Sequence, residues 1–143
     1  MNKGFSLIEL LFVLAIVGIL SAIAYPSYCD YLTRTRRLDG QTALLHLASR
    51  LEDYYTRENT YQTATLAEGK TSDILSTPTS TGGWYTLTIT HITATTYQLQ
   101  ATPIGPQASR DTGCQSLTLS STGIEGVTTG PAGSPTELAR RCW

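Results

Sequence analysis

The spacing of hydrophobic and polar positions changes twice along this chain. From Phe5 to Tyr25 almost every position is apolar, and Glu9 is the one acid among them. As a helix that run would be about 31 Å long, the thickness of the hydrocarbon core of a bilayer. Beyond Pro26 the apolar residues become periodic. Leu44, Leu47, Ala48, Leu51 and Tyr55 fall on one stripe of an amphipathic helix, with Arg50, Asp53 and Arg57 on other faces. A proline inside a helical pattern that resumes kinks the helix rather than ending it. The spacing therefore predicts one helix from about Phe5 to Arg57, kinked near Pro26. Its first half is apolar all round, and its second half needs a partner along one side.

From Trp84 the period becomes two. "WYTLTIT" (Trp84–Thr90), "TYQLQAT" (Thr96–Thr102) and "QSLTLSS" (Gln115–Ser121) alternate as half-buried strands do. "TG" at Thr122–Gly123 marks a turn, and a short fourth strand fits around Ile124–Val127. Leu87, Ile89, Leu99, Leu117 and Leu119 would form the apolar face that covers the helix stripe. A helix followed by antiparallel strands is an α+β domain. The polar connection Glu58–Gly83 is long for a plain loop, so it is expected to pack on the domain or carry a short element. The end, "TTGPAGSPTELARRCW", is rich in Gly and Pro at its start and is expected to be irregular up to Cys142.

Composition narrows the function. The chain has 143 residues, room for one domain besides the apolar segment. Net charge is −1 with 15% charged residues, so no global field draws in nucleic acid or an ionic substrate. Thr is frequent from Thr56 onward, which suits half-exposed strands. There are three cysteines. A Cys114–Cys142 disulfide would tie the irregular tail to the third strand and would imply an oxidising compartment; two free thiols are the alternative. Cys29 is left over, as a free thiol or an intermolecular bond. The two histidines, His46 and His91, have no ligand spacing, and no metal, P-loop or nucleophile motif occurs. An enzyme is not expected, and no cofactor is called for. "RTRR" (Arg34–Arg37) would be a solvated collar near lipid headgroups or a phosphate contact. Arg140 and Arg141 form a smaller basic spot beside Cys142 that could touch nucleic acid or a partner.

The information is concentrated in "KGFSLIEL". A cleaved secretory signal competes with a retained anchor here, and "SAIAYPS" could pass for a cleavage site, but the apolar run is long for a signal. Lys3 lies before the run and Arg34, Arg36 and Arg37 after it, so charge leaves the orientation undecided. A cut after Gly4 would remove only "MNKG" and keep the whole apolar helix. The new amine would then be that of Phe5, with Glu9 four positions on and on the same helix face. Unpaired in lipid, that carboxylate would cost about 2.5–3.5 kcal/mol, less near the interface; an N-terminal ammonium would offset this.

At these residues, and in "FSLIELLFVLAIVGILSAIAYPSY" as a whole, the sequence resembles the type IV pilin family. "YQLQATPIGPQASRDTGCQSLTLSSTG" and the late "CW" are similar to the PilE-like minor pilins of gammaproteobacteria. The resemblance implies a leader of residues 1–4, a hydrophobic membrane and filament-core helix at 5–27, and a head at 28–143. It implies the pilin fold, a long kinked helix on an antiparallel sheet of about four strands, with the cysteine pair bounding a C-terminal loop. It implies cleavage after Gly4 by a prepilin peptidase and N-methylation of Phe5. Glu9 would pair with the amine of an adjacent subunit, and Gly18 and Pro26 would bracket a stretch that loosens in the fibre. The partners implied are other pilin subunits, the inner-membrane assembly machinery and, before assembly, lipid. The head would lie in the periplasm and later outside the cell, in a pilus serving adhesion, twitching motility or DNA uptake. A type II secretion pseudopilin and a DNA- or surface-binding minor pilin are the alternatives. Cys29 departs from the family's pattern.

Overall fold

Helix α1, Leu7–Glu58, runs through Pro26 without a break. The computed structural model describes residues 6–128 and 136–143 of the chain. The chain forms two compact units, Met1–Arg34 and Thr35–Trp143. In the first, the helix presents apolar side chains all round, and Leu7, Leu11, Leu14, Val17, Leu20 and Ile23 are all exposed. Such a surface requires a nonaqueous partner. Ser6 precedes the first helical residue and Glu9 follows three later, the spacing of a capping box. The backbone N–H groups of Glu9 and Leu10 both donate to the Ser6 carbonyl. Asn59 ends the helix in the left-handed region, φ 55°, and its N–H returns to the Tyr55 carbonyl.

In the second unit the helix buries Gly40, Leu44, Leu47, Leu51 and Tyr54. The stripe is the one the spacing predicts, except that Tyr54 rather than Tyr55 is its fully covered end. Gly40 is required by proximity: a Cβ there would stand 2.9 Å from the Tyr85 ring. Opposite lies a four-stranded antiparallel meander in the order β1-β2-β3-β4, comprising β1 Tyr85–Ile92, β2 Tyr97–Pro103, β3 Ser116–Ser120 and β4 Glu125–Thr128. The register sets apolar residues side by side. Ile89, Leu99 and Leu119 form one row, and Leu87, Ala101, Leu117 and Val127 the next. All but Ile89 are buried; Ile89 packs at the core's edge, beside a register shift before His91.

The connection after the helix packs on the domain, as its length implied. Tyr61 and Ala64 join the core, and Thr79 pairs with Thr86 alongside β1. Two elements differ from the expectation. Pro106–Arg110 form a short helix, α2, opened by Pro106 after Gly105 at φ 58°. The tail is not irregular to its end, because Thr136–Cys142 form α3. Its "TELARRC" run has no Gly or Pro, and the Pro/Gly bias that suggested a coil stops just before it. Cys114 and Cys142 are joined, with Cα atoms 5.6 Å apart. Closing a loop of 28 positions removes unfolded-state entropy equivalent to about 3.5 kcal/mol in the chain-entropy model.

Candidate functional site

Two regions carry the residues singled out above. The first is the start of α1. Glu9 stands in its first turn, exposed, where the helix dipole favours an acid. Gly18 lies in uninterrupted helix with nothing near the position of its missing Cβ. Pro26 lies inside the same helix. Gly4 and Phe5, the predicted processing site, lie outside the described residues. The helix is long and apolar enough to cross a membrane, and none of its apolar window is buried within the chain.

The second region surrounds the disulfide. Four elements converge there: the α1 turn at Arg36–Gln41, β1, α2 with the turn after it, and α3. Arg37 grips Asp111 with two bonds, Nη2–Oδ1 at 2.7 Å and Nε–Oδ2 at 3.0 Å. The Asp111 side chain is 3% exposed and that of Arg37 13%. Gln107 Nε2 donates to Asp111 Oδ2 and to the Tyr85 hydroxyl. Burial pushes the Tyr85 phenol up to about 12. Arg36 lies over the Trp84 ring, 3.9 Å from its centroid. Asp39 accepts from the Ser80 hydroxyl and the Gly82 N–H, at 2.6 and 2.9 Å. So "RTRR" is not one basic collar. Arg36 and Arg37 are held inside the head, and Arg34 is exposed.

The same network holds α3. Gln41 Nε2 donates to the Cys142 carbonyl at 2.7 Å, and the Trp143 indole N–H to the Gly126 carbonyl at 2.8 Å. Cys142 and Ala139 are buried, while Arg140 and Arg141 face solvent. The disulfide brings α3 against the turn that follows α2, so exposed Arg110 joins them at one end of the head. Sequence reasoning had passed over Arg110, which stands 30 positions from Arg140 in number; only the cysteine pairing could have linked the two.

A second cluster sits at the other end of the sheet. Glu52 accepts the hydroxyls of Tyr61 and Tyr97 at 2.9–3.0 Å. Burial, then the Glu52 carboxylate, pushes Tyr61 up to about 12, and the same two causes raise Tyr97 further. Asp73 accepts the backbone N–H groups of Glu68, Gly69 and Lys70 and the Thr65 hydroxyl. The Thr65 bond, with the backbone donors behind it, lowers its carboxyl. Both clusters are internal fastenings. His46 and His91 are exposed on different elements. Among the described residues no group of His, Cys, Asp or Glu could hold a metal ion. Cys29 is a partly buried free thiol.

A long apolar-ended helix, a four-strand meander and a disulfide-tied C-terminal segment define the pilin architecture. The fold is shared with the non-core minor pilin PilV of Neisseria meningitidis, at TM-score 0.53 and 23% identity, over 73% of this chain and 95% of that one. Residues 26–118 match the family described as type IV minor pilin ComP, DNA uptake sequence receptor, and residues 1–25 match the prokaryotic N-terminal methylation motif. The chain belongs to this ComP family of type IV minor pilins. The type IV major fimbrial protein FimA of Dichelobacter nodosus is 47% identical over 53 residues, 37% of this chain and 33% of its own length. The type IV major pilin protein PilA of Myxococcus xanthus is 37% identical over 60 residues, 42% of this chain and 27% of its own. The chain thus spans about a third of the length of the curated relatives it matches.

Proposed function

We propose that this chain is a subunit of a type IV pilus, and the match of residues 1–25 to the N-terminal methylation motif carries that reading. A prepilin peptidase cuts after Gly4, and Phe5 becomes the methylated N-terminus. α1 anchors the chain in the inner membrane with the head in the periplasm. The assembly machinery then moves the helix from lipid into a bundle of like helices. Glu9 sets its register: against a neighbour's amine both charges are neutralised, and out of register both stay unpaired. Gly18 and Pro26 bound the stretch that loosens in the filament. Glu9→Ala should leave membrane insertion intact and reduce incorporation into sheared pili at least tenfold. Normal incorporation of that variant would overturn the register role.

The head's match to a family described as a DNA uptake sequence receptor supports a second reading, that it contacts DNA. Arg110, Arg140 and Arg141 are the exposed cations gathered at the disulfide end. Each arginine that neutralises a phosphate contributes about −0.9 to the slope of log affinity against log salt. Arg140→Gln/Arg141→Gln in the full chain in micelles should flatten that slope by about 2 in a mobility-shift titration. A slope that stays the same removes these residues from the contact. Absence of salt-dependent DNA binding removes the second reading and leaves the structural subunit.

A further inference from the structure

Just past its apolar run, α1 carries three exposed tyrosines and an exposed arginine. We propose that Tyr25, Tyr28 and Arg34, with Tyr31 beside them, form a collar that seats in the headgroup layer of a phospholipid bilayer and fixes the depth of the helix. The inference rests on the membrane-anchored reading above and adds what holds the anchor at one level.

The spacing of charges is the first observation. Glu9 and Asp30 bracket a stretch of α1 that carries no charge. At 1.5 Å per residue the helix rises about 30 Å from Glu9 to Cys29, matching the hydrocarbon thickness of a bilayer. With Glu9 at one boundary, Cys29 falls at the other. Asp30 then lies just outside, Tyr28 just inside, and Arg34 about 7 Å further out, at phosphate level. Sliding the helix one turn in either direction would draw either Glu9 or Asp30 into hydrocarbon.

The tyrosines fall where such a register needs them. Tyr25, Tyr28 and Tyr31 are 66%, 59% and 65% exposed, so the chain itself does not cover their rings. A tyrosine places an apolar ring among glycerol and acyl groups and its hydroxyl among headgroups, and such rings gather at membrane interfaces. The arginines supply the third observation. Arg36 is stacked on Trp84 and Arg37 is locked to Asp111. Of the three, Arg34 is the one whose side chain makes no hydrogen bond, ring contact or ion pair among the described residues. A guanidinium matches a phosphate with two parallel hydrogen bonds, so the partner is the lipid phosphodiester.

Cys29 provides the probe, because the other two thiols are tied in the disulfide. The full chain, carrying a nitroxide on Cys29, is placed in nanodiscs of phosphatidylethanolamine and phosphatidylglycerol. Its depth is read from accessibility to oxygen against a water-soluble nickel chelate. The label should sit at the headgroup boundary. In Tyr25→Ala/Tyr28→Ala/Arg34→Gln, with Glu9 and Asp30 still bracketing the span, its depth should shift or spread by about half a helical turn, roughly 3 Å, whereas Tyr25→Trp/Tyr28→Trp should hold the original depth. A label at the bilayer centre, or an unmoved label in the triple variant, overturns the collar while leaving the anchor. A chain that does not enter the nanodisc overturns the anchor and the collar together. Unchanged resistance of the head to limited proteolysis verifies that it is folded in every variant.

Discussion

Removing Arg37 tests whether the head depends on its polar clamp. Arg37→Ala deletes both bonds to Asp111 and leaves a carboxylate 3% exposed beside Tyr85 and Gln107. Breaking a buried pair by removing one partner costs about 3–5 kcal/mol, because the other charge stays buried. The Gln107 amide still donates to Asp111, which puts the expectation near the low end, about 3 kcal/mol. With a urea slope of about 1.5 kcal/mol/M for a domain of this size, the midpoint should fall by about 2 M. The assay is urea unfolding of the full chain in micelles, followed by emission of Trp84 and Trp143. Arg37→Lys should recover only part of the loss, since an ammonium cannot reproduce the two parallel bonds. Arg37→Met/Asp111→Leu should return to within about 1 kcal/mol of the parent, since the charge is then removed from both sides. Arg34→Ala, three positions away and exposed, should change stability by less than about 0.5 kcal/mol. Equal effects at Arg34 and Arg37 would refute the division of the basic group into a free residue and a clamped one.

Two further outcomes follow from the core and the tyrosines. Gly40→Ala should destabilise the head by about 1–2 kcal/mol in the same assay despite alanine's better helix propensity, because the added methyl meets the Tyr85 ring at 2.9 Å; Gly18→Ala, with open space around it, should cost nothing. The phenols of Tyr61 and Tyr85 are raised from an ordinary 10 to about 12, so the fold favours their neutral forms. That stabilisation is complete below pH 10 and lost as pH rises through 12. Glu52→Gln should bring forward the late phenolate absorbance of Tyr61 and Tyr97, and an unchanged titration would show that the carboxylate does not hold them.

What could be read in advance was what depends on neighbours in sequence. The helix stripe of Leu44, Leu47 and Leu51 and the alternation of Leu87, Leu99 and Leu117 are local periodicities, and both faces are buried as written. The cysteine pair was legible because few partners were available. The clamp was not. Arg36 and Arg37 look alike in "RTRR", and their different fates are decided by Trp84 and Asp111, residues dozens of positions away that the fold brings to that helical turn. α2 and α3 escaped because each is under ten residues and flanked by Gly and Pro, so neither displays a full helical period. Arg110 entered the basic rim only through the disulfide. Tyr54 replaced Tyr55 because the apolar period drifts along the helix, and Tyr55 instead stacks near Tyr61, ring centroids 4.5 Å apart.

The meander order of the sheet has a consequence for biosynthesis. Every strand pairs with its successor, so the sheet can zip up hairpin by hairpin in the order in which the chain is made. The helix has no such neighbour. Its stripe is made early, and its cover, Leu87 through Leu119, arrives only after the connection has been synthesised. Asp111 follows between β2 and β3, and Cys142, which completes the fastening, comes last. A growing chain therefore carries an uncovered amphipathic helix until β3 has been made, and a chain truncated before β3 would keep that sticky surface permanently.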